Sequence, residues 1–151
     1  MGRGDMVGTL RIEGEAELNR ALAKLGEDAE RHIADAVNAT GLELRGDIVK
    51  RYQRGPATGI VYQKSNPTRT HQASAPGEAP ATDTGRLASG VVFSRIGRLA
   101  AEVESKVAYG AMLEFGTQNI AMRPAWRPAV EAMQPKYQKR LERALKKAMG
   151  L

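Results

Sequence analysis

The feature that most constrains the fold is a helical repeat of apolar residues that runs from position 18 to position 52. Apolar residues recur there in steps of three and four, the spacing that lines one face of an α-helix. The repeat consists of Leu18, Leu22, Leu25, Ala29, Ile33, Ala36, Val37, Thr40, Leu44, Ile48, Val49 and Tyr52. It predicts one long amphipathic helix or two in succession. Bends are expected at Gly26 and Gly41, because glycine weakens a helix by about 1 kcal/mol relative to alanine.

A second amphipathic helix is predicted at the end of the chain, with Pro124 in its first turn, where a missing N–H costs nothing. The expected apolar stripe consists of Trp126, Val130, Met133, Tyr137, Leu141 and Leu145. A rotation of about 100° per residue places a basic group on the opposite side. This group consists of Lys136, Lys139, Arg140, Arg143, Lys146 and Lys147.

Short segments with strand periodicity lie outside the two helices. Residues 7–12 and 60–62 each predict a small strand, and residues 91–105 predict a hairpin that turns at Gly97-Arg98. Residues 109–115 predict a short helix or turn closed by Gly116. The predicted fold is therefore one α+β domain over residues 1–151, with a long N-terminal helix and a C-terminal amphipathic helix packed on a small antiparallel sheet.

Residues 53–83 are rich in proline, glycine, serine, threonine and alanine, and they predict an extended loop or arm. Two roles are consistent with this composition. Prolines preset the backbone and reduce the entropy lost on docking, which favours contact with other subunits. The alternative is a mobile surface loop. The segment ends in Asp83-Thr84-Gly85, and either Asp83 or Thr84 is expected to cap a short helix over residues 84–89.

Asp-Thr-Gly is also the active-site tripeptide of aspartic proteases, but its surroundings here do not suit that chemistry. No apolar strand precedes Asp83, and Arg86 is expected to keep its carboxylate ionised, whereas the protease mechanism needs two carboxylates that share a proton. His32 and His71 are far apart and lack clustered carboxylates at ligand spacing, so no metal site is predicted. The residues support neither an enzyme nor a cofactor.

The net charge of +6 is distributed unevenly along the 151 residues. Counting Lys and Arg against Asp and Glu gives −4 for residues 13–35, +4 for residues 36–72 and +5 for residues 134–151. Three interpretations are consistent with this distribution. Unlike faces could meet between copies of the chain, a basic face could contact DNA phosphates, or the charges could form a solvated helix surface.

Membrane insertion and secretion are not expected from the sequence. No apolar run approaches the roughly 18 residues of a membrane span. The first ten residues carry Arg3 and Asp5 without the apolar segment of a signal peptide, and we interpret Arg3-Gly4-Asp5 as a chance match to an integrin motif. The chain has no cysteine, which excludes disulfides and is consistent with a reducing cytosol.

Two segments, "HQASAPGEAPATDTGRLASGVVF" (71–93) and "VAYGAMLEFGTQNIAMRPAWRPAVEAM" (107–133), resemble a family of small phage proteins. These are the tail-completion, or head–tail joining (neck), proteins of long-tailed phages, also called minor tail or virion morphogenesis proteins. The residues that match the family's pattern are Tyr109, Glu114, Phe115, Gly116, Thr117, Arg123, Pro124, Pro128 and Ala129. Gly110 and Trp126 are mild departures from it. The resemblance covers the C-terminal half well, whereas residues 53–70 have no counterpart in it.

The resemblance implies a structural virion protein without catalytic residues, made in the bacterial host cytoplasm. It implies a ring, hexameric or larger, at the head–tail junction, beside neck or connector proteins and tail tube or tail terminator proteins, with passing contact to DNA. Joining the head and capping the tail both remain open. The interface candidates are Pro76, Pro80, Thr82, Asp83, Arg86, Tyr109, Glu114, Arg123, Lys136, Lys139, Arg140 and Arg143. The alternative function is that of a basic DNA-contacting accessory protein.

Residues 114–123 also have expected roles within the fold. Phe115 is expected to anchor the turn in the core, and Gly116 is expected to adopt a left-handed backbone. Arg123 is expected to pair with Glu114 across the loop. An interface role for Glu114 or Arg123 remains the alternative.

Overall fold

A computed structural model describes residues 9–12, 16, 18–20, 23 and 26–151 of the chain. The elements are β1 (Thr9–Ile12), α1 (Glu27–Arg54), β2 (Val61–Ser65), β3 (Thr68–Gln72), α2 (Arg86–Ser89), β4 (Val91–Arg95), β5 (Ala101–Ser105), α3 (Tyr109–Phe115) and α4 (Trp126–Ala148). The described residues between β1 and α1 are also helical, except Gly26. The predicted α+β class is confirmed, and so are the two long helices and the small antiparallel sheet.

The helices α1 and α4 pack against each other and supply half of the buried apolar residues in the described part of the chain. Ile33 near the start of α1 shares a cluster with Ala144 near the end of α4. Ile48 near the end of α1 shares a cluster with Ala129 near the start of α4. The two helices therefore run antiparallel. The predicted apolar stripe of α1 is buried wherever it falls on residues 29–48, whereas Leu22 and Leu25 lie outside the described residues.

A three-stranded antiparallel sheet in the order β1-β5-β4 packs against the two helices. Ala101, Val103 and Ser105 alternate toward the core, while Glu102 and Glu104 lie on the other face. The predicted hairpin of residues 91–105 is confirmed. The predicted strand at residues 7–12 is confirmed from Thr9 onward, and Val7 lies outside the described residues.

The two glycines expected to bend the first helix behave differently. Gly26 has a φ of +79°, lies outside the helix and directly precedes α1. Gly41 lies inside α1, whose hydrogen-bonded helix is not interrupted there. A Cβ added at Gly41 would lie 2.5 Å from Cε2 of Phe93 on β4. The position is therefore a close approach between helix and sheet that a side chain would obstruct.

Residues 53–83 are more ordered than the expected loop. They contain a two-stranded antiparallel hairpin, β2–β3, whose turn includes a cis Asn66-Pro67 bond. The small strand expected around residues 60–62 is confirmed from Val61, but β3 was not predicted. We call residues 60–72 the hairpin arm and residues 73–85, which return from the arm to α2, the strap.

The last helix begins later than expected. Its first residue is Trp126, so Pro124 precedes the helix and the predicted first-turn position is wrong. The indole N–H of Trp126 donates to the hydroxyl of Tyr52 on α1 at 2.9 Å, which joins the start of α4 to the end of α1.

Candidate assembly surface

Asp83 connects the hairpin arm to the strap. Its carboxylate accepts hydrogen bonds from Lys64 on β2 and Arg69 on β3, and Nδ1 of His71 lies 3.9 Å away. The bond from Arg69, followed by that from Lys64, lowers the pKa of Asp83 to about 2. The expected cap of α2 is wrong for both candidates, because Gly85 occupies the N-cap position with a φ of +78°. Asp83 is ionised, as predicted, but the cations beside it come from the arm.

The strap itself is held by side-chain and backbone hydrogen bonds. Glu78 accepts from the N–H of Thr58 (3.1 Å), the hydroxyl of Thr58 (2.6 Å) and the N–H of Ala75 (2.8 Å). These bonds, chiefly that from the Thr58 hydroxyl, lower the pKa of Glu78. The N–H and hydroxyl of Thr82 both donate to the carbonyl of Tyr52. These contacts favour a docked strap over a mobile loop.

Arg123 fastens the strap to the loop that follows α3. Its Nη1 donates to the carbonyl of Ser74 at 2.6 Å and to the hydroxyl of Ser74 at 2.8 Å. In the same place the N–H of Gly77 donates to the carbonyl of Met122 at 2.9 Å. The predicted pair between Arg123 and Glu114 is therefore wrong, because the guanidinium donates to Ser74 on the strap.

Glu114 caps the N-terminus of α4. Its side chain accepts from the N–H groups of Ala125 (2.8 Å), Trp126 (3.1 Å) and Arg127 (2.8 Å), and only 6% of the residue is exposed. The first N–H groups of a helix have no partner within the helix, and the helix dipole favours a carboxylate there. Glu114 thus fixes α3 against α4, and spacing in the sequence gave no signal of this partner.

Half of the predicted interface residues line one cleft of about 370 Å³ between the strap, α2 and α3. They are Pro80, Thr82, Asp83, Arg86, Tyr109 and Arg123. Pro80 is buried, whereas Arg86 and Tyr109 are exposed at the rim. Pro76 is exposed on the strap outside this cleft. The structure therefore brings these residues together around the strap, and their role between subunits stays a prediction.

The basic residues of α4 divide into paired and unpaired groups. Lys136 and Arg140 both donate to the carboxylate of Glu43 on α1, which lowers the pKa of Glu43 and raises that of Lys136. Lys139 and Arg143 are exposed. Part of the basic face is thus neutralised inside the subunit, since α4 lies beside α1.

An exposed apolar surface was not predicted. Phe115 does not anchor the core, because it is 66% exposed. Gly116, with a φ of +75°, ends α3 as expected. Four more exposed apolar residues lie on α3 and the following loop: Tyr109, Met112, Ile120 and Met122. We call these five residues the apolar surface. Phe115 also lines a mostly apolar cavity of about 370 Å³ together with Leu10, Trp126 and Val130.

Comparisons with protein-family models, with curated proteins and with solved structures found no match for this chain. Within the described ranges no group of His, Cys, Asp and Glu has the geometry of a metal site. Among the helices described, none has the length and apolar character required to cross a membrane.

Proposed function

We propose that this chain is a structural protein of a phage particle that assembles into a ring, hexameric or larger, at the head–tail junction. The ring joins the tail to the head connector, with neck or connector proteins on one side and tail tube or tail terminator proteins on the other. Its place of action is the virion. The resemblance of residues 71–93 and 107–133 to head–tail joining proteins supports this proposal.

The observation that carries the proposal is the apolar surface around Phe115. Five large apolar side chains are exposed within residues 109–122, and such a concentration favours an interaction site. Phe115, Met112 and Met122 belong to residue types that are enriched at protein interfaces. This surface includes two positions of the resemblance motif, Tyr109 and Phe115, so the motif and the exposed surface overlap there.

A second exposed apolar group lies on the hairpin arm. Ile60, Val61 and Tyr62 are all exposed, and Ile60 is 68% exposed. Contacts between unlike surfaces of identical chains are heterologous, and they close into rings when the rotation between neighbours permits it. A subunit with the arm as one surface and the Phe115 region as another has the two unlike surfaces that a ring needs.

Imaging of the purified protein by negative-stain electron microscopy tests the proposal. The expected result is ring-shaped particles of uniform diameter, together with detection of the chain in virus particles purified from the host that encodes it. A protein that is dispersed as single subunits at high concentration, and that is missing from finished virus particles, contradicts the proposal.

A further inference from the structure

The two groups of bases on α4 differ in what lies beside them. Lys136 and Arg140 share one carboxylate, Glu43, and Arg140 also donates to the hydroxyl of Thr40 at 3.2 Å. Five other bases of α4 form no ion pair with any described residue: Arg127, Lys139, Arg143, Lys146 and Lys147. Since residues 134–151 contain a single acid, Glu142, this part of the helix has a strong excess of positive charge.

Three of the unpaired bases form a line on the helix surface. At about 100° and 1.5 Å per residue, Lys139, Arg143 and Lys146 fall within an arc of about 60° and extend over about 10 Å. We call these three residues the open basic stripe. All three are exposed, and the only hydrogen bond that their side chains form with described residues is from Nε of Arg143 to the carbonyl of Lys139, at 3.2 Å.

Stabilisation of the helix does not account for the whole stripe. Bases in the last turn of a helix interact favourably with its dipole, and this explains Lys146. The effect falls off within that turn, so it does not reach Lys139 or Arg143. Neither residue forms an ion pair with a residue that the structure describes.

The chemistry of the stripe suits a polyanion better than a protein surface. The nearby residues on the same side of α4 are Ala132, Pro135, Lys136, Glu142 and Lys147, with no large apolar group among them. Protein interfaces are depleted in lysine and enriched in aromatic residues, whereas two of the three stripe residues are lysines and none is aromatic. DNA carries one negative charge per about 1.7 Å of its axis, so three bases along about 10 Å each meet a phosphate without a demanding fit.

We propose that the open basic stripe binds the phosphate backbone of double-stranded DNA. DNA binding itself does not depend on the proposed function, but the place where the DNA is bound does. In a ring at the head–tail junction, α4 is the element that faces the passing DNA. Phosphate contacts of this kind carry no base sequence information, so the binding is expected to be independent of sequence.

The chain offers a matched pair of variants for the test. Lys139→Gln/Arg143→Gln removes two unpaired charges, whereas Lys136→Gln/Arg140→Gln removes two charges that share the carboxylate of Glu43. Both doubles change the net charge of the same helix by the same amount. Fluorescence anisotropy with duplexes of two unrelated sequences, measured across a salt series on the full chain, gives the affinity and its salt dependence. Circular dichroism checks that each variant is folded.

The expected result is a loss specific to the open stripe. Each lost phosphate contact lowers the slope of log affinity against log salt by about 0.9, so the stripe double lowers it by about 2 for each subunit in contact. Its affinity at low salt falls by about tenfold or more, while the Lys136/Arg140 double keeps both the slope and the affinity within about twofold.

Three results would overturn the inference: no salt-dependent binding by the wild-type chain, an equal loss in both doubles, or dissociation of the oligomer by the stripe double with DNA binding intact. An equal loss means that net charge alone attracts DNA. Dissociation means that the stripe contacts a neighbouring copy. Sedimentation without DNA reports ring formation separately, so failure of the ring and failure of DNA binding are distinguishable.

Discussion

At the scale of single residues, a few polar side chains join segments that are distant in the chain. Glu114 accepts from three N–H groups that begin 11 residues later, and Arg123 reaches Ser74 across 49 positions. Glu114 satisfies three backbone N–H groups, and Arg123 satisfies a backbone carbonyl and a hydroxyl, which would otherwise lose water without compensation. The packing of α3, the strap and α4 therefore depends strongly on these two residues.

Glu114→Gln is expected to destabilise the fold. The substitution keeps the shape but turns an acceptor into a donor that faces N–H groups, and it removes the charge that the helix dipole favours. The free energy of unfolding should fall by about 2 kcal/mol, measured by urea denaturation. Glu131→Gln, at an exposed position of α4, is the control and should change it by less than about 0.5 kcal/mol. Equal effects would show that Glu114 does not cap the helix.

At the scale of elements, the hairpin arm has the most distinctive attachment. Both of its strands donate to Asp83, Lys64 from β2 and Arg69 from β3. A single carboxylate at the end of the strap thus orients both strands of the arm. Its loss should loosen the arm while leaving the helices and the three-stranded sheet intact.

Asp83→Asn is expected to release the arm. Hydrogen exchange should become faster for the amides of residues 61–72 and stay unchanged in α1 and β5. Asp28→Asn, which removes a surface ion pair with Arg31 on α1, is the control and should leave arm exchange unaltered. Arm protection equal to wild type in Asp83→Asn would contradict the role assigned to this carboxylate.

The same attachment predicts a pH dependence. The pKa of Asp83 is about 2 in the folded protein and 3.8 ordinarily. Its contribution to the attachment of the arm is therefore fully present above pH 3.8. It is lost as the pH falls toward 2, because protonation removes the acceptor of Lys64 and Arg69. Exchange in the arm should therefore rise over this interval in the wild type. In Asp83→Asn, exchange in the arm should not show this additional increase between pH 3.8 and 2.

The contact between α1 and β4 makes a separate prediction. Gly41→Ala places a methyl group against the ring of Phe93, and overpacking of this kind costs about 1–3 kcal/mol of unfolding free energy. Gly46→Ala in the same helix has open space and should stabilise by up to about 1 kcal/mol. Thermal and urea denaturation of the two variants measure both effects. A Gly41→Ala protein as stable as the wild type would mean that Phe93 moves freely.

Elements with a clear apolar period could be predicted from the sequence, and those without one could not. The stripes of α1 and α4 and the alternation in β5 follow from burial of one face. Thr68–Gln72 forms β3 although both faces are polar, so the period is absent. Within the candidate site, the composition of the strap was enough to predict that candidate residues cluster around it. The partners of Glu114 and Arg123 were not, because they depend on how separate elements pack.

At the scale of the whole molecule, part of the basic charge of α4 is paired within the subunit, whereas the apolar residues around Phe115 are exposed. Lys136 and Arg140 of the basic helix are satisfied by Glu43 within the subunit, so attraction between acidic and basic helices of neighbouring copies is weakened. The apolar side chains around Phe115 are instead exposed on the subunit. We therefore expect apolar contact, rather than helix charge, to hold the ring together.

Phe115→Asp is expected to abolish assembly without unfolding the subunit. The side chain is already largely exposed, so the fold loses little burial, whereas an interface would have to desolvate a charge. Sedimentation velocity should show single subunits with unchanged circular dichroism. Ile96→Asp, at another exposed apolar position, is the control and should keep the oligomer. Rings formed by Phe115→Asp would exclude this surface from the interface.

The most direct test of the central claim is the native mass of the wild-type protein across a concentration series, measured by sedimentation velocity. The account predicts one closed species, a hexamer or larger ring of 16.3 kDa chains, that does not grow further as concentration rises. A 16.3 kDa species that persists at the highest concentration, or a mass that increases without limit, would contradict it.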